Sequence, residues 1–201
     1  MTGFLKVSLR KMLDEVGEDK VKNILSDFFC PKNKDVENFI KNKAVEFEKH
    51  RWSATQLIYA SYKGTWVLIG YYALAQKTLI VENQAVPKSL KKRLKQFATY
   101  NSDIKRYMIP APLIAQLGKN FNNNYNCLIT GDELLGMAIE DVKITQQILG
   151  GKVVYLECED IPDLVDFYKS NGFVIFDKRF LDKDETDIES DYLLQMLKYF
   201  K

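Results

Sequence analysis

Apolar residues recur at helical spacing from the start of the chain: Leu9, Met12, Leu13 and Val16 share one face behind a capping Ser8. Gly17 followed by Glu18-Asp19 interrupts them, and Val21, Ile24, Leu25 and Phe28 resume the period. Phe28-Phe29-Cys30, ahead of Pro31, reads equally as a helix end or a short strand, and the pattern leaves that boundary open. From Asn33, the set Val36, Phe39, Ile40, Ala44 and Phe47 predicts a strongly amphipathic helix to about Lys49. The pattern then changes to strand-like runs over residues 55–62 and 66–75. Lys63-Gly64-Thr65 joins them as a tight antiparallel hairpin.

Residues 87–98 predict a short basic helix with Leu90, Leu94 and Phe97 inward and Lys88, Lys91, Lys92, Arg93 and Lys95 largely outward. Residues 109–117 read as a strand whose two prolines sit at its start, where a missing N–H is tolerated. A polar loop over 118–126 leads to a long helix that opens near Gly131 and closes at Gly150-Gly151. Leu134, Leu135, Ala138, Ile139 and Val142 form its core face. A buried strand over 152–158, a helix over 162–171, and strands over 173–179 and 192–200 complete the order, with an acidic loop between the last two. Asn171-Gly172 supplies the left-handed residue that ends the helix at 171.

Composition narrows the classes that remain. A chain of 201 residues with 46% hydrophobic content buries a sizeable core as one domain, or one domain with an appendage. The formal charge of +2 gives no global field toward nucleic acid or membrane, so an electrostatic partner has to be read locally. Cys30, Cys127 and Cys158 lack metal or disulfide spacing, and His50 is the single histidine, so neither a zinc site nor a disulfide framework is expected. No apolar run approaches membrane-spanning length, and the N-terminus lacks the apolar run of a signal peptide; a reducing, cytoplasmic compartment is expected.

Three segments in order carry a resemblance: "GYYAL" at 70–74, "LITGDELLGMA" at 128–138, and "YLECEDIPDLVDFYKSNGF" at 155–173. With them the chain resembles the GNAT superfamily of acetyl-CoA-dependent N-acetyltransferases. "FFCPKNKDVENFIKNKA" at 28–44 looks like the start of its toxin-type branch, whose members acetylate the amino group of aminoacyl-tRNA. The likeness covers roughly residues 25 to 200. It implies an α/β (α+β) GNAT fold, a mixed, largely antiparallel central sheet split into a V with helices on both faces, over residues 26–201. Residues 1–25 would be a helical N-terminal extension.

The resemblance also implies site residues. Gln116, Leu117, Gly118 and Lys119 correspond to the strand segment whose backbone contacts the pantetheine of acetyl-CoA (CoA). In the pyrophosphate loop the family's Q/R-x-x-G-x-G/A falls on Asn126, Ile129 and Gly131, so the second glycine alone is kept. Amides of Thr130, Gly131, Asp132 and Glu133 would face the pyrophosphate at a helix N-terminus. Carboxylates of Asp132 and Glu133 would repel it if turned inward. Tyr168 matches the family's general acid toward the departing thiolate, and Glu157 is a candidate base beside Glu159.

Each of these has a plainer competitor. Tyr168 is also a packed aromatic beside Phe167, Gly131 a helix-start residue, and Glu157 a solvated strand-end charge. The reduced loop also fits a GNAT-fold interaction module without catalysis. The acceptor is a primary amine on a small molecule, a protein or an aminoacyl-tRNA. Lys88 to Lys95 with Lys105, Arg106, Tyr100 and Tyr107 is either a solvated face or an RNA-tracking one. A homodimer is among the assemblies the sequence leaves open.

Overall fold

Eight strands hydrogen-bond in the order β1-β2-β3-β5-β6-β8-β7, with β4 paired to β5, in a computed structural model that describes residues 3–82, 92–183, 185 and 187–200. The strands are β1 (Phe4–Ser8), β2 (Ala54–Tyr62), β3 (Thr65–Glu82), β4 (Thr99–Asn101), β5 (Arg106–Lys119), β6 (Val153–Cys158), β7 (Val174–Phe180) and β8 (Tyr192–Tyr199). The helices are α1 (Leu9–Val16), α2 (Glu18–Ser26), α3 (Lys34–Asn38), α4 (Ala44–Lys49), α5 (Gly131–Leu149) and α6 (Pro162–Ser170). This is the mixed, mostly antiparallel α/β architecture expected; β5 and β6 pair parallel, Leu113 opposite Tyr155 and Ile114 opposite Leu156. The chain clusters into two compact units, residues 1–75 with 115–138 and residues 76–114 with 139–201.

In the first unit β1, β2 and the N-terminal part of β3 form a meander. The β2–β3 turn closes with Tyr62 opposite Thr65, so Lys63 and Gly64 alone span it, at φ 49° and 82°. Two consecutive positive φ values match the twist of the flanking strands, and glycine at the second position removes half the steric cost. Ile58 pairs with Gly70 and Tyr59 with Leu68, so Ile69 is an extra residue on β3, a bulge. Asn33 caps α3 by accepting a hydrogen bond from the Val36 amide at 2.9 Å, and a π turn over Phe39–Lys43 joins α3 to α4. The expected single helix from Asn33 is therefore continuous but widened in its middle.

The first 25 residues were expected to form a helical N-terminal extension; α1 and α2 lie there, and ahead of them β1 adds to β2 in register from Phe4 with Ala60 to Ser8 with Gln56. Leu9, Val21 and Leu25 share one core with Phe28, Ile40, Ala44, Leu57 and Tyr71. Phe28–Cys30 is neither helix nor strand; it is an irregular run tied at Phe29, whose carbonyl accepts from the Phe121 amide at 2.7 Å.

The second unit packs Leu79, Val81, Ile109, Ala111, Val153, Tyr155, Phe176 and Leu197 around β6 and β8. β4 pairs with the start of β5, Tyr100 lying opposite Tyr107. The helix expected over 87–98 lies, through Lys91, outside the described residues. In α5 the predicted core face is buried as expected, from Leu134 through Val142.

Candidate active site

Gln116, Leu117, Gly118 and Lys119 end β5 in the first unit, and different forces fix them. The Gln116 side-chain amide donates to Asp35 at 2.7 Å, and the Tyr71 hydroxyl donates to the Val36 carbonyl at 2.6 Å, so two side chains pin the first turn of α3. Gly118 is buried and lies where backbone must approach side chain. A Cβ placed there would overlap Val36 Cγ1 and stand 3.2 Å from the Tyr71 ring. Gly70 answers it on β3, where a Cβ would stand 2.9 Å from the Gly118 carbonyl oxygen. The glycine of "GYYAL" is thus required by close packing.

Lys119 has a role that its sequence neighbours do not disclose. Its ammonium donates to the carbonyls of Asn126 and Ile129, both at 2.9 Å, and so ties down the loop between β5 and α5. Asn120, buried within "KNFNNNYN", is the second fixing point. Its side-chain oxygen accepts from Phe29 and Asn122 amides, both at 3.0 Å, while its side-chain amide donates to the Leu68 carbonyl at 2.8 Å. A polar side chain this buried is stable because its hydrogen-bonding groups are met. Beyond it a 3-10 turn over Asn122–Leu128 places Asn123 and Asn124 in left-handed conformation, which asparagine tolerates.

The start of α5 closes on itself. Thr130 donates its amide and its hydroxyl to one Glu133 carboxylate oxygen, both at 2.8 Å, and the Glu133 amide donates back to the Thr130 hydroxyl at 3.1 Å. This is a reciprocal capping box, spelled T-x-x-E in the sequence. The Thr130 amide and hydroxyl, and beyond them the Lys119 charge, hold the Glu133 carboxyl below the usual carboxylate range. An oxygen anion therefore already rests on this helix terminus, where N–H groups and the helix dipole favour it. Ile129, at the position where the family has glycine, sits at φ −143° and ψ 140°. That is ordinary extended backbone, so the missing glycine costs no strain here. Asn126, Thr130 and Glu133 are brought together with Lys119; Gly131 and Asp132 follow in the first turn of α5.

Tyr168 and Glu157 belong to the second unit. Tyr168 is 7% exposed on α6, with its ring 5.0 Å from Phe167 and 5.9 Å edge-on from Phe173. Gly172, at φ 82°, ends the helix, and the Phe173 amide then donates to the Tyr168 carbonyl at 3.0 Å. Among the described residues the Tyr168 hydroxyl has no hydrogen-bond partner. The fully buried side-chain oxygens left without a partner there are Ser53 Oγ and Thr55 Oγ1. Burial of the ring, then the neighbouring Cys158, pushes this phenol above its ordinary pKa; burial pushes the Cys158 thiol up to about 12. Glu157 is differently placed: Arg179 donates to one of its oxygens at 2.8 Å and Gln195 to the other at 2.7 Å. Arg179 also grips Glu185 with both terminal nitrogens, at 2.7 and 2.8 Å.

Among the described residues no group of His, Cys, Asp and Glu could hold a metal ion, and no helix is long and apolar enough to cross a membrane. No family model and no curated protein matches the sequence. Solved structures do. A bacterial toxin is similar at 18% identity and TM-score 0.64 over 99% of this chain and 92% of that one. AtaT complexed with acetyl-methionyl-tRNAfMet is similar at 18% and 0.63 over 96% and 94%. A tyrosine-to-phenylalanine mutant of AtaT, bound to acetyl-CoA and the C-terminus of the antitoxin AtaR, is similar at 15% and 0.59 over 98% and 92%. The chain has the fold of these toxins along nearly its whole length, in agreement with the GNAT-type architecture expected.

Proposed function

We propose that this protein is an acetyl-CoA-dependent N-acetyltransferase whose acceptor is the amino group of an aminoacyl-tRNA. The observation that carries the reading is the tied loop and capped terminus at Lys119–Glu133, whose helix-start amides would take a phosphate anion. The whole-chain likeness to AtaT, solved with an acetylated aminoacyl-tRNA, supports the choice of acceptor.

Acetyl-CoA supplies an activated acyl group on a thioester. Amides at the first turn of α5 would take its pyrophosphate, and the backbone of residues 116–119 its pantetheine. The acceptor amine forms the new C–N bond as the C–S bond breaks, and the electron pair leaves on sulfur. Tyr168 would donate its proton to that sulfur. The Tyr168 phenol is protonated at neutral pH with or without its upward shift, and the shift adds no acidity toward the thiolate. Glu157 has both oxygens engaged by Arg179 and Gln195, so proton removal from the amine is assigned to water. Much of the acceleration would come from holding amine and thioester together.

Glu133 gives a separate prediction. For coenzyme phosphate to take the seat, its carboxylate must swing away or share the seat with another anion. Glu133→Gln keeps the capping box, since glutamine also closes it, but removes the charge. Coenzyme should then bind roughly threefold more tightly or better, a partly screened charge–charge effect. Because the folded-state pKa is depressed, the carboxylate is charged above the ordinary range and loses its charge only as pH falls through the depressed value. The advantage of the variant should hold from neutral pH downward and vanish in acid. Titration calorimetry with CoA at about pH 7.5 and about pH 5, both above the depressed value, should show the same advantage, and equal affinities at the higher pH would remove Glu133 from the site.

The experiment that tests the function is incubation of purified protein with labelled acetyl-CoA and a set of aminoacyl-tRNAs, spermidine and a lysine-containing peptide. Label is expected on the aminoacyl-tRNA amino group. Label on spermidine or peptide alone would overturn the acceptor and keep the transferase.

A further inference from the structure

Two clusters of rings and cations stand on the second unit outside the residues assigned above. In one, Tyr100 and Tyr107 face each other across β4 and β5 with ring centroids 5.1 Å apart, and the Lys95 ammonium lies 5.5 Å from the Tyr107 ring. In the other, the Arg93 guanidinium lies 5.4 Å from the Tyr199 ring, which also meets Phe97 at 6.5 Å. Two of these rings are left open to solvent, Tyr100 at 51% and Phe97 at 36%, while Tyr199 packs against the core. The sequence from Glu82 to Tyr107 carries seven basic residues against the carboxylates of Glu82 and Asp103. Glu82 is already engaged by Arg106.

We infer that this surface binds single-stranded RNA, with Tyr100 as a stacking face and Arg93 and Lys95 on the phosphates. The inference rests on the aminoacyl-tRNA reading, because the amino group there hangs on a single-stranded RNA end that has to be held. Exposed ring faces take any base by stacking, and interleaved cations follow the backbone. Charge selects the occupant: Arg93 and Lys95 lie against the rings, in a stretch of sequence with more lysine and arginine than carboxylate, and this suits a polyanion with flat bases. A lone cation–ring contact needs no ligand. Two clusters, one holding the half-exposed Tyr100, leave apolar surface that a base would cover.

Full-length protein is titrated against a fluorescein-labelled single-stranded RNA of about a dozen mixed nucleotides, within the usual span of one such surface, by anisotropy at stepped salt. Wild type is expected to bind. Tyr100→Ala should weaken binding about tenfold, on the scale of one missing base stack. Tyr100→Phe should bind as wild type, since the ring remains. Replacing Arg93 and Lys95 by glutamine should flatten the slope of log affinity against log salt by about 0.7 for each phosphate no longer neutralised. Matching melting temperatures for wild type and variants separate weaker binding from a damaged fold. No binding by wild type, an unaffected Tyr100→Ala, or an unchanged salt slope would each overturn the inference. Coenzyme binding without RNA binding would remove this surface and leave the transferase standing. RNA binding without coenzyme binding would do the reverse.

Discussion

Tyr168→Phe should lower turnover by about a hundredfold or more while the affinity for acetyl-CoA changes little, the usual scale of removing a general acid. The ring is what the core uses: it packs on Phe167 and Phe173, and phenylalanine preserves both ring pairs. The hydroxyl has no hydrogen bond to lose among the described residues, so the variant should fold with an unchanged melting temperature. Steady-state kinetics with saturating coenzyme, beside a thermal melt, reads both quantities. A variant as active as wild type would return Tyr168 to a packing role. In cells, expression of wild type without a partner should slow growth, and the phenylalanine variant should not.

Gly118→Ala should destabilise the protein by about 1–3 kcal/mol, the ordinary range for forcing one extra carbon into a packed site. For a chain of this size each kcal/mol shifts the melting temperature by roughly 2–4 °C. The neighbour that would have to yield is Val36 Cγ1, which the new carbon would overlap, and Val36 is a branched side chain with little rotamer freedom. Its backbone is also held, since its carbonyl accepts from Tyr71. The strain therefore passes to the start of α3, which Asp35 joins to Gln116. A melt that does not move would show that α3 shifts freely.

Much of the strand order was legible because its signals are local. The change from helical to alternating spacing near residue 54, the Lys63-Gly64 turn and the Asn171-Gly172 helix end each depend on residues next to one another in sequence. What stayed hidden depends on neighbours distant in the chain. β1 is five residues with Leu5 and Lys6 exposed, and β2 is what makes it a strand. β4 is shorter still, and β3 runs on past Ala75 through the polar Gln76-Lys77-Thr78 because backbone pairing does not need apolar side chains. At the candidate site, residue types and helix start were readable, and Thr130-x-x-Glu133 was present as a pattern. That Glu133 folds back as the cap could have been read from it. The grip of Lys119 on two carbonyls and the bonding of the Asn120 side chain could not, since nothing in their own flanks distinguishes them from solvated residues. Glu157 looked like a free strand-end carboxylate because Arg179 and Gln195 come from later strands.

A transferase of this kind requires, before anything else, that folded protein takes acetyl-CoA at Lys119–Glu133. A thermal-shift titration with acetyl-CoA tests this most directly. Ligand that binds only the folded state adds about 2.7 kcal/mol at roughly a hundred times its dissociation constant, so the melting temperature should climb by roughly 5–10 °C. Gly131→Trp should abolish the climb. A flat melting temperature up to millimolar coenzyme would contradict the proposed activity and leave a GNAT-fold interaction module in its place.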